Sequence, residues 1–248
     1  MIILKSREEI EKMRTSNKIV AEIMALLEEM VVPGVTSAEL DAFAEEEILK
    51  RGGKPAFKGY LGYQHTLCMA PNDVVVHGIP NDEVLQEGDI LGIDCGVLFD
   101  GFYGDHAKTF AVGKIDAEAE KLLDIGEAAL MVGIAQATAG NRLFDISAAI
   151  QEFAEAGGYG IVRDFVGHGV GTSLHEEPQV PNFGTAGTGI KLRPGLVLAL
   201  EPMINQGTHE VEVMEDGWTV RTKDHKLSVH FEHSVAITEN GPEILSKI

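Results

Sequence analysis

Hydrophobic spacing along the chain predicts two pairs of helices. Ser6 with Glu9, and Thr36 with Glu39, form capping boxes, and apolar residues recur at near-helical spacing after each. Pro33-Gly34 and Gly52-Gly53 end these first two helices. The same spacing predicts two later helices, at about 117–137 and 145–156.

Strand-like runs follow each predicted helix pair. They lie at 66–69, 74–76, 90–99 and 102–112, and then at 161–166, 196–204, 211–214, 218–222 and 227–238. Two helices and then strands, twice over, predict an α+β fold with an internal pseudo-twofold. Because no Pro/Gly/Ser-rich linker separates the repeats, we predict a single domain over 1–248 with similar halves at about 1–113 and 114–248.

Composition narrows the class of protein. Hydrophobic residues make up 44% of the chain, which is enough for a sizeable core, and the formal charge of -19 argues against a broad DNA or anionic-membrane surface. The two cysteines, Cys68 and Cys95, imply no disulfide framework. The charged N-terminus lacks the apolar core of a signal peptide, and no apolar run is long enough to span a membrane. We therefore expect a cytoplasmic protein.

Three of the predicted strands carry a carboxylate among apolar residues. The carboxylates are Asp94 in 90–99, Glu201 in 196–203 and Glu232 in 229–235. A buried carboxylate without a partner is strongly destabilising, and none of these segments contains Lys or Arg. Three explanations are open: a distant basic residue pairs with each carboxylate, the carboxylates stay protonated, or a metal ion binds them.

The turn at Asp100-Gly101 adds a fourth carboxylate. Asp-Gly between two apolar runs indicates a two-residue hairpin, which places Gly96 opposite Asp105. Because strand side chains alternate with period two, Asp94 and Asp105 then share one face as diagonal neighbours on adjacent strands. Their backbones are then about 7–8 Å apart. Two ionised carboxylates at this separation repel each other, and a bound cation removes the repulsion.

Histidines in glycine-rich or strand-end positions complete a candidate ligand set. His168 lies in a Gly-rich turn, HEEP follows at 175–178, and His77 ends an apolar strand. Carboxylates with one imidazole suit Mn, Fe, Co or Zn, whereas Ca²⁺ rarely binds His. The sequence contains no CxxC pair, no GxGxxG or GxxxxGK[ST] motif and no GxSxG motif, which argues against structural zinc, nucleotide binding and serine catalysis.

At these residues the sequence resembles the type I methionine aminopeptidases, in their short bacterial form. The resemblance covers nearly the whole chain, and its segments occur in the family's order. They are VVHGIP at 75–80, ID at 93–94, GD at 104–105, GHG at 167–169, HEEP at 175–178, EPM at 201–203 and FEH at 231–233.

The resemblance implies a fold, a ligand set and a reaction. The fold is the pita-bread α+β fold, with helices packed on a curved antiparallel sheet. Two divalent ions would share Asp105 and Glu232, with Asp94 serving one ion and His168 and Glu201 the other. The implied reaction is hydrolysis, by a water that the two ions activate, of the bond after an N-terminal methionine that precedes a small residue.

The resemblance also implies roles for residues around the metals. Glu201 would relay a proton, His175 would stabilise the oxyanion, and His77 would contact the scissile amide nitrogen. The methionine pocket would be lined by Tyr60, Tyr63, Cys68 and Trp218. The chain departs from the usual family residues at Phe57, Leu174 and His230, which affects pocket shape rather than the predicted ligands.

Two other functions stay open. A proline dipeptidase shares the fold and ligands but usually has a large extra N-terminal domain, and a non-catalytic binding module would not need intact ligands.

The resemblance implies a monomer that acts on N-termini of nascent polypeptides. A basic group is open to two interpretations, transient contact with ribosomal RNA or a solvated helix end; it consists of Lys50, Arg51, Lys54 and Lys58.

Overall fold

The computed structural model describes residues 2–248, and Met1, with which the predicted first half begins, lies outside the described residues. The helices are α1 (Arg7–Met30), α2 (Ser37–Lys50), α3 (Ala117–Gln136) and α4 (Leu143–Ala156), with a short 3-10 helix at Tyr60–Gly62. The strands are β1 (Lys54–Pro55), β2 (Leu67–Pro71), β3 (Val74–Val76), β4 (Ile90–Phe99), β5 (Phe102–Ala111), β6 (Gly160–Ile161), β7 (Gly167–Gly169), β8 (Glu176–Val180), β9 (Val197–Leu200), β10 (Met203–Asn205), β11 (Val211–Val213), β12 (Val220–Thr222), β13 (Ser228–His230), β14 (His233–Thr238) and β15 (Gly241–Ile244).

The first two helices begin at the predicted capping boxes. The Ser6 hydroxyl accepts the Glu9 N–H at 3.3 Å, and the Glu9 carboxylate accepts the Ser6 N–H at 2.7 Å. Thr36 and Glu39 make the same reciprocal pair at the start of α2. These bonds satisfy amide groups that a helix leaves free at its N-terminus. None of the helices within residues 2–248 is both long and apolar enough to cross a membrane.

Each pair of helices packs on antiparallel strands. In the first half, α1 and α2 cover β4, and Ile23, Leu40 and Ile93 are fully buried between them. In the second half, α3 and α4 cover a five-stranded sheet in the order β15-β14-β9-β7-β8, with Ile146 and Val235 fully buried. The α+β prediction is confirmed, whereas the single-domain organisation and the division near residue 113 stay predictions.

Three predicted strands are interrupted, so those predictions were wrong in their extent. The run 196–204 divides into β9 and β10 at Glu201-Pro202, and the run 227–238 divides into β13 and β14 at Phe231-Glu232. The segment 161–166 is mostly irregular between β6 and β7. Pro202 has no N–H to donate to a ladder, which explains the first interruption. The first two of these three segments each carry a predicted metal ligand at the break, Glu201 and Glu232.

Helix α1 lies directly against β5. A Cβ atom on Gly104 would be 2.7 Å from the Asn17 backbone nitrogen, so only glycine permits this approach. The Asn17 side-chain oxygen then accepts the Asp105 N–H at 3.3 Å. The helix thereby fixes the strand at the position where Asp105 lies.

Candidate metal centre

The β4–β5 hairpin positions two carboxylates on one face. Phe99 pairs with Phe102 and Gly96 with Asp105, so the predicted register is confirmed. Asp94 lies two residues from Gly96 on the same face, and Asp105 is only 3% exposed. The surrounding strand residues Ile93 and Cys95 are fully buried.

The second half contributes the remaining candidate ligands from neighbouring strands. His168 lies at the centre of β7 and pairs with Ala199 of β9, and Glu201 follows the end of β9 directly. Glu232 precedes β14, which pairs with the other edge of β9. The Glu232 N–H donates to the Ala107 carbonyl of β5 at 2.8 Å, which joins the second half to the hairpin.

These side chains converge on a small volume. Ligand atoms of Asp105, His168 and Glu232 all lie within 4.8 Å of one another. His168 Nε2 is 3.7 Å from Asp105 Oδ2 and 3.5 Å from Glu201 Oε1. His168 Nδ1 lies 2.9 Å from the Gly169 carbonyl, to which it donates, and this leaves the Nε2 lone pair facing the carboxylates.

Burial and mutual repulsion shift the titration of the whole group. Burial, with a further contribution from Glu201, raises the pKa of Asp94 to about 7, and burial raises the pKa of Glu201 to about 8. Burial and the neighbouring carboxylates raise the pKa values of Asp105 and Glu232 well above the ordinary range. Burial lowers the pKa of His168 to about 3, so its imidazole is neutral.

The structure reduces the three explanations for these carboxylates to two. Within residues 2–248, no Lys or Arg forms an ion pair with Asp94, Asp105, Glu201 or Glu232, so distant basic residues do not neutralise them. Their only cation-capable neighbours within 4.0 Å are His168 and His230. Protonation or a bound cation remains.

The donor set fits a divalent cation. The buried atoms Asp94 Oδ1, Asp105 Oδ1 and Glu232 Oε1 have no hydrogen-bond partner. Unpartnered buried oxygens are unfavourable, and coordination of a metal ion would satisfy them. Four carboxylates with one neutral imidazole are donors that Mn, Fe, Co and Zn accept.

All eleven predicted site residues line one cavity of about 160 Å³. Besides the five candidate ligands these are His77, His175, Tyr60, Tyr63, Cys68 and Trp218. The structure therefore brings the complete predicted set together, although the role of each residue stays a prediction.

The apolar wall of the cavity is built from aromatic side chains. Tyr63 and Trp218 meet edge to face with ring centroids 5.1 Å apart. The Tyr63 hydroxyl donates toward the Leu67 and Gly78 carbonyls, at 2.8 and 3.0 Å, and holds this ring in place. Cys68 is a buried free thiol whose pKa is raised by burial.

Two further histidines border the cavity as neutral groups. His77 has φ of 60°, an uncommon conformation for a residue other than glycine, and its ring packs edge-on against Phe165. Burial lowers the pKa of His77 to about 4 and also lowers the pKa of His175. His175 Nδ1 lies 2.8 Å from the Tyr60 hydroxyl.

His230 was not predicted as a site residue, yet it reaches the centre. Its Nε2 lies 3.7 Å from Glu201 Oε2 and has no hydrogen-bond partner. Strand alternation does not identify it, because the strand breaks at Phe231-Glu232 and period-two spacing does not extend across the break. The two departures Phe57 and Leu174 also line the cavity, as does Leu61.

The predicted basic group is largely paired with acids of its own region. Lys50 pairs with Glu46 and Glu47, Arg51 with Glu22 and Glu47, and Lys58 with Glu45. These ion pairs reduce the positive charge available to an anionic partner. They favour the solvated helix end, while ribosome contact stays a prediction.

Comparisons with known proteins agree on one family. The model of metallopeptidase family M24 matches residues 11–239. The methionine aminopeptidase of Clostridium perfringens is 53% identical over the full length of both chains. A crystal structure of methionine aminopeptidase from Thermotoga maritima superposes with a TM-score of 0.98 at 45% identity, covering 100% of each chain. A prolidase from Pyrococcus furiosus gives a TM-score of 0.82 at 25% identity, and the match covers 99% of this chain but 66% of the prolidase.

Proposed function

Because this chain belongs to metallopeptidase family M24, and within it to the methionine aminopeptidases, we propose that it removes the N-terminal methionine from nascent polypeptides whose second residue is small. The observation that carries the proposal is a group of four carboxylates and one imidazole that lines a cavity with aromatic walls. Within residues 2–248, buried oxygens of Asp94, Asp105 and Glu232 have no hydrogen-bond partner. This combination supplies a metal site beside a pocket for an apolar side chain.

The fold supports this function over its nearest alternative. The predicted pita-bread fold is confirmed by the likeness to methionine aminopeptidases, which match over their whole length. The prolidase shares the fold but extends well beyond the matched part. Xaa-Pro hydrolysis therefore remains the alternative activity that the assay below includes.

We assign the five ligands to two divalent ions. Asp105 and Glu232 would contact both ions, Asp94 would complete one site, and His168 and Glu201 would complete the other. When bound, such ions lower the pKa of a water molecule and polarise a carbonyl group. The ligand set does not distinguish Mn, Fe, Co and Zn, because all four accept carboxylate and imidazole.

The side chains around the ligands would move protons and orient the substrate. The Glu201 carboxylate accepts a proton from the attacking water and returns it to the departing amine. The Tyr60 hydroxyl lies 2.8 Å from His175 Nδ1, and we assign it as the donor, which places the ring hydrogen of His175 on Nε2. His175 then offers that N–H to the oxygen on which negative charge develops, and His77 contacts the scissile amide nitrogen.

The aromatic wall of the cavity explains why the residue removed would be methionine. Tyr60, Tyr63 and Trp218 can surround a thioether, and sulfur packs favourably against aromatic rings. Cys68 adds a neutral, polarisable contact at the same wall. The cavity of about 160 Å³ restricts the size of the bound side chain.

The first experiment is release of free methionine from Met-Ala-Ser by metal-stripped protein, before and after addition of Mn, Co, Fe or Zn. We expect release only with metal, and none from Met-Leu-Ser, the control for the size rule at the second residue. An Xaa-Pro dipeptide tests the alternative hydrolase. If no metal supports release from Met-Ala-Ser, the proposal is wrong; partner binding without any cleavage would then indicate a non-catalytic module.

Tyr60→Phe is expected to lower kcat about tenfold, within the range for a misdirected hydrogen-bond donor, and to leave metal content unchanged. The phenyl ring keeps the wall of the pocket but no longer donates to His175 Nδ1, so the imidazole tautomer is no longer fixed. Steady-state kinetics with metal analysis check this. Tyr103→Phe, outside the cavity lining, is the control, and an unchanged kcat in the Tyr60 variant contradicts the tautomer assignment.

The remaining features of the proposal concern its setting. We propose that the protein acts in the cytoplasm as a monomer on N-termini of nascent polypeptides, with transient ribosome contact as an untested addition. Sedimentation in the presence and absence of ribosomes measures both the oligomeric state and the contact.

A further inference from the structure

A buried ion pair joins the N-terminal segment to the loop that carries His175. Lys5 Nζ lies 2.6 Å from Glu176 Oε2, and the two side chains are 3% and 6% exposed. The partners are 171 residues apart in sequence. Most ion pairs of the described chain lie at its surface, where an ion pair contributes little to stability. Removal of one partner of a buried pair is more strongly destabilising, because it leaves an unpaired buried charge.

Lys5 is held along its whole length. Its backbone N–H donates to the Gly195 carbonyl at 2.7 Å, and its Nζ also donates to the Ile3 carbonyl at 3.2 Å. A Cβ atom on Gly171 would be 2.5 Å from both Lys5 Cε and Glu176 Oε1. The absence of a side chain at Gly171 therefore makes room for the ion pair.

Glu176 organises the loop on its other side. Its Oε1 accepts the backbone N–H groups of Thr172 and Ser173, at 2.9 and 3.2 Å. The Gly171 carbonyl accepts the Tyr103 N–H of β5 at 2.9 Å. The loop is thus tied both to the N-terminal segment and to the strand that carries Asp105.

Leu174 is the loop side chain that packs in an apolar cluster, and the His175 ring lies beside the Tyr60 and His168 rings. Thr172, Ser173 and His175 are exposed, and Leu174 is the buried side chain between them. Glu176 is bonded directly to His175, so a shift of the Glu176 backbone moves the imidazole. Small displacements of a catalytic group are costly, because a shift of about 1 Å can reduce a rate about 100-fold.

We propose that Lys5 is a positioning residue, which holds His175 in place through its buried ion pair with Glu176. The inference rests on the proposed function, because the role of His175 belongs to that proposal. Lys5 does not line the cavity and does not contact the candidate ligands. It acts through the backbone of the loop 171–176.

Lys5→Met tests the proposal in the metal-loaded enzyme. Methionine retains the apolar stem and removes the ammonium group, which leaves Glu176 buried without its cation. We expect faster amide hydrogen exchange at Thr172 and Ser173, a fall in kcat of about 10- to 100-fold, and unchanged KM and metal content. Exchange in β4 should not change.

Lys12→Met is the matched control. Lys12 also lies near the N-terminus, but its pair with Asp100 is long, at 3.8 Å, and the side chains are 41% and 64% exposed. We expect wild-type exchange and wild-type kcat. Should Lys5→Met fail to fold, Glu176→Gln removes the charge from the other partner and is measured in the same way.

The outcomes separate this proposal from the proposed function. Unchanged or globally increased exchange, or local loosening without loss of kcat, overturns the positioning role. If the wild-type protein releases no methionine with any metal, the proposed function fails. Local exchange at the loop then still decides whether the ion pair restrains His175.

Discussion

Asp105→Asn is expected to abolish metal-dependent methionine release, with kcat/KM lower by at least about 10³-fold, the upper part of the range for loss of a central electrostatic group. One ligand atom of Asp105 lies within 4.8 Å of ligand atoms of His168 and Glu232, and within residues 2–248 its Oδ1 has no hydrogen-bond partner. The amide retains the shape of the side chain but carries no negative charge, so it would be a weaker ligand for a divalent cation.

The same substitution should not weaken the metal-free fold. Burial and the charges of Asp94 and Glu201 raise the pKa of Asp105 well above its ordinary value, which means that its ionised form is unfavourable in this position. A neutral amide removes that penalty. We therefore expect a free energy of unfolding without metal that is equal to or above that of wild type near pH 8, measured by urea denaturation.

Asp100→Asn is the matched control for this experiment. Asp100 lies in the turn of the same β4–β5 hairpin, is exposed, and has φ of 48°, which asparagine also adopts. Its activity and metal dependence should equal those of wild type. If Asp105→Asn released methionine with metal at the wild-type rate, Asp105 would not be a metal ligand.

Metal removal is expected to destabilise the protein most strongly at alkaline pH. In the metal-free protein, the pKa of Asp94 is raised to about 7 and that of Glu201 to about 8. The folded state therefore retains protons that the unfolded state releases. The stability that these groups contribute is fully present below their ordinary pKa values near 4 and is lost as the pH rises through 7 and 8.

The buried histidines make the folded protein more stable as the pH rises, which is opposite to the carboxyl groups, and they do so at lower pH. The pKa of His77 is lowered to about 4 and that of His168 to about 3, so their contribution is present above pH 6.5 and is lost as the pH falls. Between pH 6.5 and 8 each of these histidines still adds about 0.4 kcal/mol of stability, because half of its unfolded form is protonated at pH 6.5, whereas the carboxyl groups lower the stability. Glu201 alone should lower the stability of the metal-free protein by about 2 kcal/mol over this interval.

Metal binding should reverse this trend, because metal ions require the deprotonated ligands. At a fixed free metal concentration that is 100 times the dissociation constant at pH 6.5, the stabilisation at pH 6.5 is about 2.7 kcal/mol. At the same metal concentration it should be larger at pH 8, where the dissociation constant is smaller. Denaturation with and without metal at both pH values measures the difference. Asp105→Asn provides the control, since its metal response should be small. A metal-free protein that becomes more stable from pH 6.5 to 8 contradicts the assignment.

Local signals were sufficient for the helices and the first hairpin. The capping boxes at Ser6 and Thr36, and the Asp100-Gly101 turn, involve residues only a few positions apart, so their chemistry is complete within the segment. The same locality explains the register that put Asp94 and Asp105 on one face. The identity of the candidate ligands came from motifs and their order, which the resemblance to a known family made interpretable.

The strand interruptions and the approach of the two halves were not predictable in this way. Glu201-Pro202 and Phe231-Glu232 lie in continuous apolar runs of the sequence. In the structure each pair separates two strands, β9 from β10 and β13 from β14. His230, the residue before the second break, has its Nε2 3.7 Å from Glu201 Oε2. Apolar periodicity reports the burial of a segment, but it does not report which distant segment covers it.

The sequence by itself determined which residues form the helices, where the hairpin turns and which side chains are candidate metal ligands. Only the tertiary structure decided that all eleven predicted site residues share one cavity, and that Lys5 pairs with Glu176 on the far side of the chain. The physical reason is the range of the interactions. Caps, turns and side-chain alternation depend on neighbours in sequence. Buried charges, in contrast, pair through packing between segments that are distant in sequence, and the local sequence of one segment does not indicate the other.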